Sequence, residues 1–381
     1  MRTIIVVCYS HPELYPPTLN AINELSEIYD KVFVYGLNTL ETNWKYPKNV
    51  ELILYGKRVS TEQMMRWNPF KKWMYYLKWS LKLKKTVSSH SIKNIVFYDT
   101  FPFLALWLNG FLQKKCFFVW YHNHDILERK LLTTFSPSWL SAKIEDKYMN
   151  RLSLFSLSSM ERMKYFNINP DKVKVCFLPN YPSKKYFAQF QKNKIIEDNI
   201  KLIYQGKVDN QHGLEEIIEC LPEKINDKNI SLTIVGKITQ EYKTKLLQKA
   251  KMLKVEKNLI IHDFVPYYKL PEITANHHVG IAIYNSAETH VQFKTVTTAS
   301  NKIYEYAALG LGVLLLDNET FKSKLEQYPW CLFTNLQKNN LIDILTKIAN
   351  DYIYISSEAK NDFEKKLNYE HYFNKLKQYL P

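Results

Sequence analysis

The chain has no apolar run long enough to cross a bilayer. Its best candidate, residues 101–112, is broken by Pro102, Asn109 and Gly110 and stops at Lys114-Lys115, whereas a helical span needs about 20 apolar residues. The opening run I-I-V-V-C is shorter still and no small-residue cleavage site follows it, so it reads as a strand and not as a signal peptide. The expectation is a cytoplasmic protein. Five cysteines (8, 116, 176, 220 and 331) include no C-x-x-C pair, which excludes the usual zinc and thiol-redox motifs. Their placement in or beside apolar runs predicts buried free thiols in a reducing compartment. The chain also lacks a Gly-x-Gly-x-x-Gly fingerprint, an Asp-x-Asp pair, an internal repeat of solenoid period and any low-complexity tract. No catalytic metal is expected.

What is present is a chain of 381 residues with 46% hydrophobic content, enough for two domains with cores of their own. A net charge of +15 calls for an anionic partner, whether nucleic acid, membrane or phosphorylated substrate. Between Lys57 and Lys85 nine basic residues stand against one acid, Glu62. Strand-like runs at 3–9, 31–35, 50–54, 94–98, 116–121, 152–157 and 173–178 alternate with amphipathic stretches such as 18–28 and 69–87. A second series follows at 201–205, 231–235, 258–262, 279–284 and 311–316, with helical patterns at 213–220, 239–253, 301–309 and 341–352. Such alternation predicts parallel sheets covered on both faces, an α/β chain of two Rossmann-like halves with a cleft between them. The domains are expected at 1–182 and 200–360. A polar, lysine-rich linker is expected at 183–199 and a last helical segment at 361–381.

The most informative stretch is A-S-N-K-I-Y-E-Y-A-A-L-G-L-G, residues 299–312. Ser300 stands at a helix N-cap, as a cap or a phosphate contact, with Asn301 next. Lys302 and Glu305 are three apart and share a face. Gly310 stops the helix before a buried strand. Amides, a dipole end and a lysine at one helix start suit an anion, and a glutamate one turn on suits a polyol. The bland alternative is a surface i,i+3 pair. An earlier strand–loop–helix, residues 203–218, carries Gly206, Lys207, His212 and Gly213. L-T-I-V-G-K ends at Gly236 and Lys237, and H-D-F-V-P-Y-Y-K-L-P-E-I spans 262–273.

These segments, in this order, resemble the carboxy-terminal half of GT-B fold glycosyltransferases, close to glycosyltransferase family 4 (glycosyl transferases group 1). The matching positions are Gly206, Lys207, His212 and Gly213; Val235 and Gly236; Phe264–Pro266, Leu270 and Pro271; and Lys302, Glu305, Tyr306, Ala308 and Gly310. In the first half, Y-H-N-H-D-I-L-E (121–128) and the turn L-P-N-Y-P are similar to the family's corresponding segments. The resemblance implies a retaining, metal-independent transfer of a sugar from a nucleoside-diphosphate sugar to a hydroxyl acceptor, with no cofactor. It implies a catalytic set of Lys207, Lys302, Glu305 and His124. The implied donor site is Gly206, His212, Gly236, Val265, Ser300, Asn301 and Thr297. The sequence departs from the family at several of these. Lys207 replaces an arginine, and His212 replaces a lysine, so phosphate neutralisation there depends on protonation. Thr297 replaces the first of two glutamates, with Thr298 or Glu288 as substitutes, and Gly312 replaces a proline. Ser10–Pro17 replaces a glycine-rich loop.

His11, Asp125, Trp67, Lys71 and Lys72 are assigned to the acceptor or membrane side. His124 has a core histidine as its alternative, and His122 reads as structural. Trp67, Phe70, Met74, Leu77 and Leu81 recur at helical spacing, with Trp73, Tyr76 and Trp79 widening the apolar surface and lysines around it. Either this stripe faces the core or the helix lies on an anionic membrane. A nucleic-acid patch is the third option, but no recognised nucleic-acid module is visible. A lipid-linked glycan acceptor in surface polysaccharide or glycolipid assembly is the resulting expectation, at the inner face of the membrane. A nucleotide-sugar epimerase and a non-catalytic glycan- or transferase-binding relative are the alternatives.

Overall fold

The computed structural model describes residues 1–284 and 299–381. Thr297, Thr298 and Glu288 therefore lie outside the described residues. Two compact units form, one from Met1–Asn180 with Tyr372–Pro381, the other from residues 181–284 and 299–371. Among the described residues no helix is long and apolar enough to cross a membrane.

The first unit is built on seven parallel strands: β1 (Thr3–Val7), β2 (Lys31–Leu37), β3 (Val50–Tyr55), β4 (Asn94–Tyr98), β5 (Phe118–Asn123), β6 (Leu154–Leu157) and β7 (Lys174–Phe177). They lie in the order β3-β2-β1-β4-β5-β6-β7. β1 is central, with Val6 in register with Val34 on one side and Val96 on the other. Its run Ile4-Ile5-Val6-Val7 is fully buried, as expected of a parallel strand covered on both faces. Several covering helices, Pro16–Ser26, Pro69–Ser89, Pro102–Leu108 and Pro137–Tyr148, begin with proline, where the missing N–H costs nothing. Asn68 and Ser136 cap two of them. The strand order reverses between β1 and β4, which leaves a crevice at their carboxyl ends.

The second unit holds β8 (Asn199–Gln205), β9 (Lys224–Ile225), β10 (Lys228–Val235), β11 (Leu259–His262), β12 (Val279–Ile281), β13 (Gly312–Leu316) and β14 (Cys331–Thr334). The order is β11-β10-β8-β12-β13-β14, all parallel, with β9 antiparallel on β10. Here the reversal falls between β8 and β12. β14 was not expected from the sequence, and β9, of two residues, is too short to stand out in it.

Three expectations need correction. The segment 361–380 is not one helix. Residues 361–365 end the long helix Lys338–Lys365, and a separate helix runs Tyr369–Leu376. Asn368 causes the break. Its amide donates to the carbonyls of Phe363 and Glu364, and its Oδ1 accepts the His371 N–H, which is the competition with helix continuation typical of asparagine. The stretch 183–199 is not free chain. It carries the short helix Lys184–Phe187, capped by Ser183, and belongs to the second unit. Finally, Cys8, Cys220 and Cys331 are buried free thiols, but Cys176 is only half-buried and Cys116 is exposed.

The helix Pro69–Ser89 forms as expected, with a face reversed from one reading. Tyr76, Trp79, Leu83 and Val87 enter the core, where Trp79 meets the rings of Tyr9 and Tyr35. The stripe Phe70, Met74, Leu77 and Leu81 faces solvent. Trp67 is half-buried, edge-on to Tyr75, with the Lys71 ammonium 4.4 Å over its ring. Lys72 donates to the Met65 carbonyl at the helix start.

Candidate functional site

In the second unit, β8 ends at Gln205 and the chain turns through Gly206 at φ +122°. Gly236, at the matching end of β10, must lack a side chain, because a Cβ there would lie 1.7 Å from the Gly206 carbonyl oxygen. The two strand ends thus abut, and a Cβ on Gly206 itself would meet the Lys302 side chain at 3.7 Å. Lys302 occupies the first turn of the helix Asn301–Ala308. Its ammonium lies 3.1 Å from the Tyr204 hydroxyl, 4.4 Å over the Tyr204 ring and 4.8 Å over the Tyr284 ring. Burial lowers its pKa to about 7, against the pull of Asp209 and Glu305.

The helix start differs from expectation in one respect. Ser300 sits at the N-cap but caps nothing, and its hydroxyl hydrogen-bonds that of Tyr284. The first-turn amides are therefore not taken up by that side chain. Asn301 is half-buried beside it.

Glu305 is buried, and its carboxylate accepts from Gln205 Nε2 at 2.6 Å and from Tyr267. Gln205 in turn accepts from Thr274. Burial raises Glu305 to about 7, opposed by these hydrogen bonds and by Lys302. Lys302 and Glu305 thus share a field, yet the carboxylate is held by neighbours on β8 and the Tyr267 turn. Val265, half-buried, precedes that turn.

Lys207 is exposed and pairs with Asp209 at 2.9 Å. His212 is buried, with Nδ1 2.7 Å from Asp209 Oδ1. Burial, reinforced by the Lys302 charge, lowers His212 to about 4. A pKa this low disfavours the protonated imidazole on which phosphate neutralisation at His212 would depend.

In the first unit a cavity of about 210 Å³ opens where β1 and β4 diverge. This reversal point, at the carboxyl ends of the strands, is where open α/β sheets take ligands. Tyr9 and Ser10 follow β1, Tyr98 to Phe101 follow β4, Asp125 to Leu127 follow β5, and Tyr15 completes the wall. Asp99 has φ +59°, a left-handed conformation that aspartate tolerates better than most residues. Its Oδ1 accepts the backbone N–H groups of His124 at 2.8 Å and Asp125 at 3.2 Å. Burial and the nearby Asp125 charge raise its pKa to about 7. Thr100 is anchored to Glu145, which also takes Tyr121 and Arg129.

Of the residues assigned to this side, only Asp125 lines the cavity. His124 is buried behind it, stacked between Tyr15 and Tyr98 at interplanar angles of 6° and 9°, with Nε2 3.0 Å from Thr18 Oγ1. Burial lowers it to about 3, so it braces the wall as a neutral ring. His11 is fully buried and spends Nδ1 on the Glu13 N–H. His122 is structural, held to Ser156. Tyr204, Tyr284, Asp209, Tyr98 and Asp99 were not singled out from the sequence. The usable signal was their position at or just after strand ends.

Residues 185–363 match the glycosyl transferases group 1 family. No curated protein sequence matches the chain. Among solved structures, HepE of Anabaena in complex with UDP and glucose is similar at 14% identity and TM-score 0.66, over 100% of this chain and 99% of that one. Sucrose-phosphate synthase from Thermosynechococcus elongatus is similar at 12% identity and TM-score 0.69, over 99% and 98%. WaaG, a glycosyltransferase involved in lipopolysaccharide biosynthesis, is similar at 15% identity and TM-score 0.64, over 99% of each chain. These likenesses establish the fold: GT-B, with two Rossmann-like domains. The strand-end glycines, Lys302 and Glu305 all fall inside the matched segment.

Proposed function

We propose that this protein transfers a sugar from a nucleoside-diphosphate sugar to a hydroxyl acceptor, with retention at the anomeric carbon. The observation that carries the reading is Lys302: a half-buried lysine at a helix start, its ammonium over two aromatic rings and beside Gly206, inside the matched segment. Its remaining hydrogens and the first-turn amides suit the diphosphate of a leaving nucleotide. As the sugar–oxygen bond breaks, charge develops on that diphosphate, and prearranged donors stabilise it most where water is excluded. The departing phosphate oxygen takes the acceptor proton on the same face, so no strong protein base is required. Lys207, on its exposed loop, supplies a second positive charge. Glu305, fixed by Gln205 and Tyr267, orients the ribose or sugar hydroxyls. The UDP held by HepE makes uridine-diphosphate sugars the first donors to test.

The acceptor reading is a glycan, lipid-linked, approached at an anionic membrane surface. Its support is the solvent-facing row Phe70, Met74, Leu77 and Leu81 with Lys71, Lys72, Lys78 and Lys82 on the same helix. An amphipathic helix of this kind binds headgroups through both apolar area and charge.

The deciding experiment incubates the protein with a panel of UDP-, GDP- and ADP-sugars, with and without glycoside acceptors, and reads products by mass spectrometry and anomeric NMR. Transfer with an α-linked donor giving an α-linked product supports the proposal. Epimerised sugar from donor alone, or nucleotide binding without any product, overturns it.

A further inference from the structure

β8 and β12 pair over two residues only, Leu202 with Val279 and Ile203 with Gly280, and then part. Gln205 ends β8 just beyond that point and is 2% exposed. Its main-chain N–H donates to the Tyr306 hydroxyl at 3.0 Å, and that hydroxyl donates on to the Ile281 carbonyl at 3.4 Å. A side-chain oxygen thus stands in for a rung that the parting strands do not make. Gly280 makes room for it, since a Cβ there would fall 2.2 Å from the Tyr306 ring.

The Gln205 side chain is held at both ends of its amide. Nε2 donates to Glu305 Oε2 at 2.6 Å, and Oε1 accepts from Thr274 Oγ1 at 2.6 Å. A carboxylate only accepts and a threonine hydroxyl can donate, which fixes the way the amide faces. Glu305 and Tyr306 are consecutive on the helix Asn301–Ala308, whose first turn carries Lys302. One residue of β8 therefore grips that helix twice, by main chain and by side chain. A buried amide is costly unless its bonds are made. The buried run Leu202-Ile203-Tyr204 would continue at less cost with an apolar residue, so the glutamine calls for a role.

We propose that Gln205 is a positioning residue for the donor site, one that supports the charge of Lys302 through Glu305. The proposal rests on the glycosyltransferase reading given above. The link is electrostatic. Glu305 and Lys302 lie three apart on one helix, and each acts on the charge of the other. Gln205 Nε2 and the Tyr267 hydroxyl both donate to the carboxylate. Such donors favour the charged pair, carboxylate with ammonium, over the uncharged pair of carboxylic acid and amine. With one donor removed, Glu305 keeps its proton to higher pH, and Lys302 gives up its own at lower pH. The other titratable groups facing the pair are Asp209, His212, Tyr204 and Tyr284 around the lysine, and Tyr186, Tyr284 and Tyr306 around the glutamate. A substitution at Gln205 leaves all of these in place.

The test compares the full chain with Gln205→Met, which matches glutamine in length, keeps the main-chain bond to Tyr306 and removes both side-chain bonds. Lysines are isotope-labelled at Cε for NMR, and the Lys302 signal is identified by its loss in Lys302→Arg. Its titration midpoint is expected at about 7 in the wild type. In Gln205→Met it should lie at least about 0.5 of a pH unit lower. UDP affinity, measured by calorimetry, should be about three- to tenfold weaker in the variant at about pH 7.5, and within about twofold of wild type at about pH 5.5, where both proteins carry the charged lysine. Should Gln205→Met fail to fold, Tyr267→Phe removes the other donor to Glu305; it should move the midpoint the same way and then decides alone. An unchanged midpoint, or a UDP affinity lowered equally at every pH as a merely loosened helix would give, overturns the proposal. A lowered midpoint in a protein that binds no UDP upholds the tie from Gln205 to Lys302 and removes the donor reading instead.

Discussion

The Lys302 ammonium hydrogen-bonds the Tyr204 hydroxyl at 3.1 Å and also stands 4.4 Å above the ring of the same residue. One tyrosine therefore serves the charge twice, with its oxygen and with its π face. A cation held this way needs no carboxylate partner, and among the described residues it forms no ion pair. It is positioned to meet an anion from outside. Lys302→Ala should lower turnover on the order of 10²–10³, the usual cost of removing one oriented donor from a developing charge. Steady-state kinetics with saturating donor checks this, with the melting temperature as a folding control. Turnover within about twofold of wild type would remove Lys302 from the reaction.

The pH behaviour follows from the same neighbourhood. Lys302 is lowered to about 7 by burial, and the groups acting on it are Asp209, Glu305 and His212, with Tyr204 and Tyr284 against its ammonium. A diphosphate favours the charged lysine. Nucleotide affinity should therefore fall as pH rises above about 7, by at most about tenfold per pH unit, with proton uptake on binding. Calorimetry in buffers of different ionisation enthalpy measures both. His212 is neutral above about pH 4, so His212→Gln should leave the slope between about pH 6 and 8 unchanged. A flattened slope in that variant would return the titration to the imidazole.

Stability should respond in the opposite sense on the two sides of neutrality. From about 7 up to 10.5 the unfolded chain holds the Lys302 proton and the folded chain has lost it, so this group's share of stability rises with pH. From 4.5 up to about 7 the folded chain holds the Glu305 proton and the unfolded chain has lost it, so that share falls as pH rises. Across its own window each group changes stability by at most ~1.4 kcal/mol for every step of one in pH. Comparing Glu305→Gln with wild type in urea melts across pH isolates the second. An identical pH dependence in the two proteins would show that Glu305 titrates normally.

Gly236→Ala should disrupt the donor site and the unit together. The added methyl would fall on the Gly206 carbonyl, and strands β8 and β10 cannot separate locally without losing their ladder. Overpacking of this kind costs about 1–3 kcal/mol. A urea midpoint matching wild type, with nucleotide affinity intact, would show that the two strand ends move apart freely.

The membrane reading makes a separable prediction. Exchanging Lys71, Lys72 and Lys78 for glutamate should weaken binding to anionic vesicles by at least about a hundredfold, at about 1 kcal/mol per lysine. Nucleotide affinity and melting temperature should hold. High salt should weaken wild-type binding in the same direction. Equal sedimentation with neutral and anionic vesicles would reject the surface.

The strand–helix alternation was readable because parallel strands covered on both faces leave unmistakable apolar runs, as in Ile4 to Val7. The helix at 69–89 was readable too, but not its orientation. It carries two apolar faces, and periodicity cannot rank Phe70-Met74-Leu77-Leu81 against Tyr76-Trp79-Leu83. The sheet decides, because Tyr9 and Tyr35 present rings against which Trp79 packs. The Lys302 helix start stood out in the sequence because its signals are contiguous. The aromatic box around it did not, since Tyr204 arrives from β8 and Tyr284 from the stretch after β12. Spacing placed Lys302 and Glu305 on one face correctly, yet it carries no information on depth, and depth is what gives Glu305 to Gln205 and Tyr267. Of the two cavity acids, Asp125 was assigned from the sequence and Asp99 was not. Asp99 is an unremarkable residue after a strand until β1 and β4 part beside it.

The return of Tyr372–Pro381 to the first unit has a consequence for the order of events during synthesis. Phe373 packs toward Trp120, and Tyr379 lies under the Lys174 ammonium. The first unit is therefore begun before the second and completed after it. At about 5–20 residues per second, the ribosome needs about 10–40 s to pass from residue 180 to residue 372. Through that interval the Trp120 face waits uncovered while residues 181–371 emerge and fold. A nascent chain stalled at His371 should accordingly leave β5 and β6 more open to limited proteolysis than the finished protein does, and equal protection in both would refute the waiting interval.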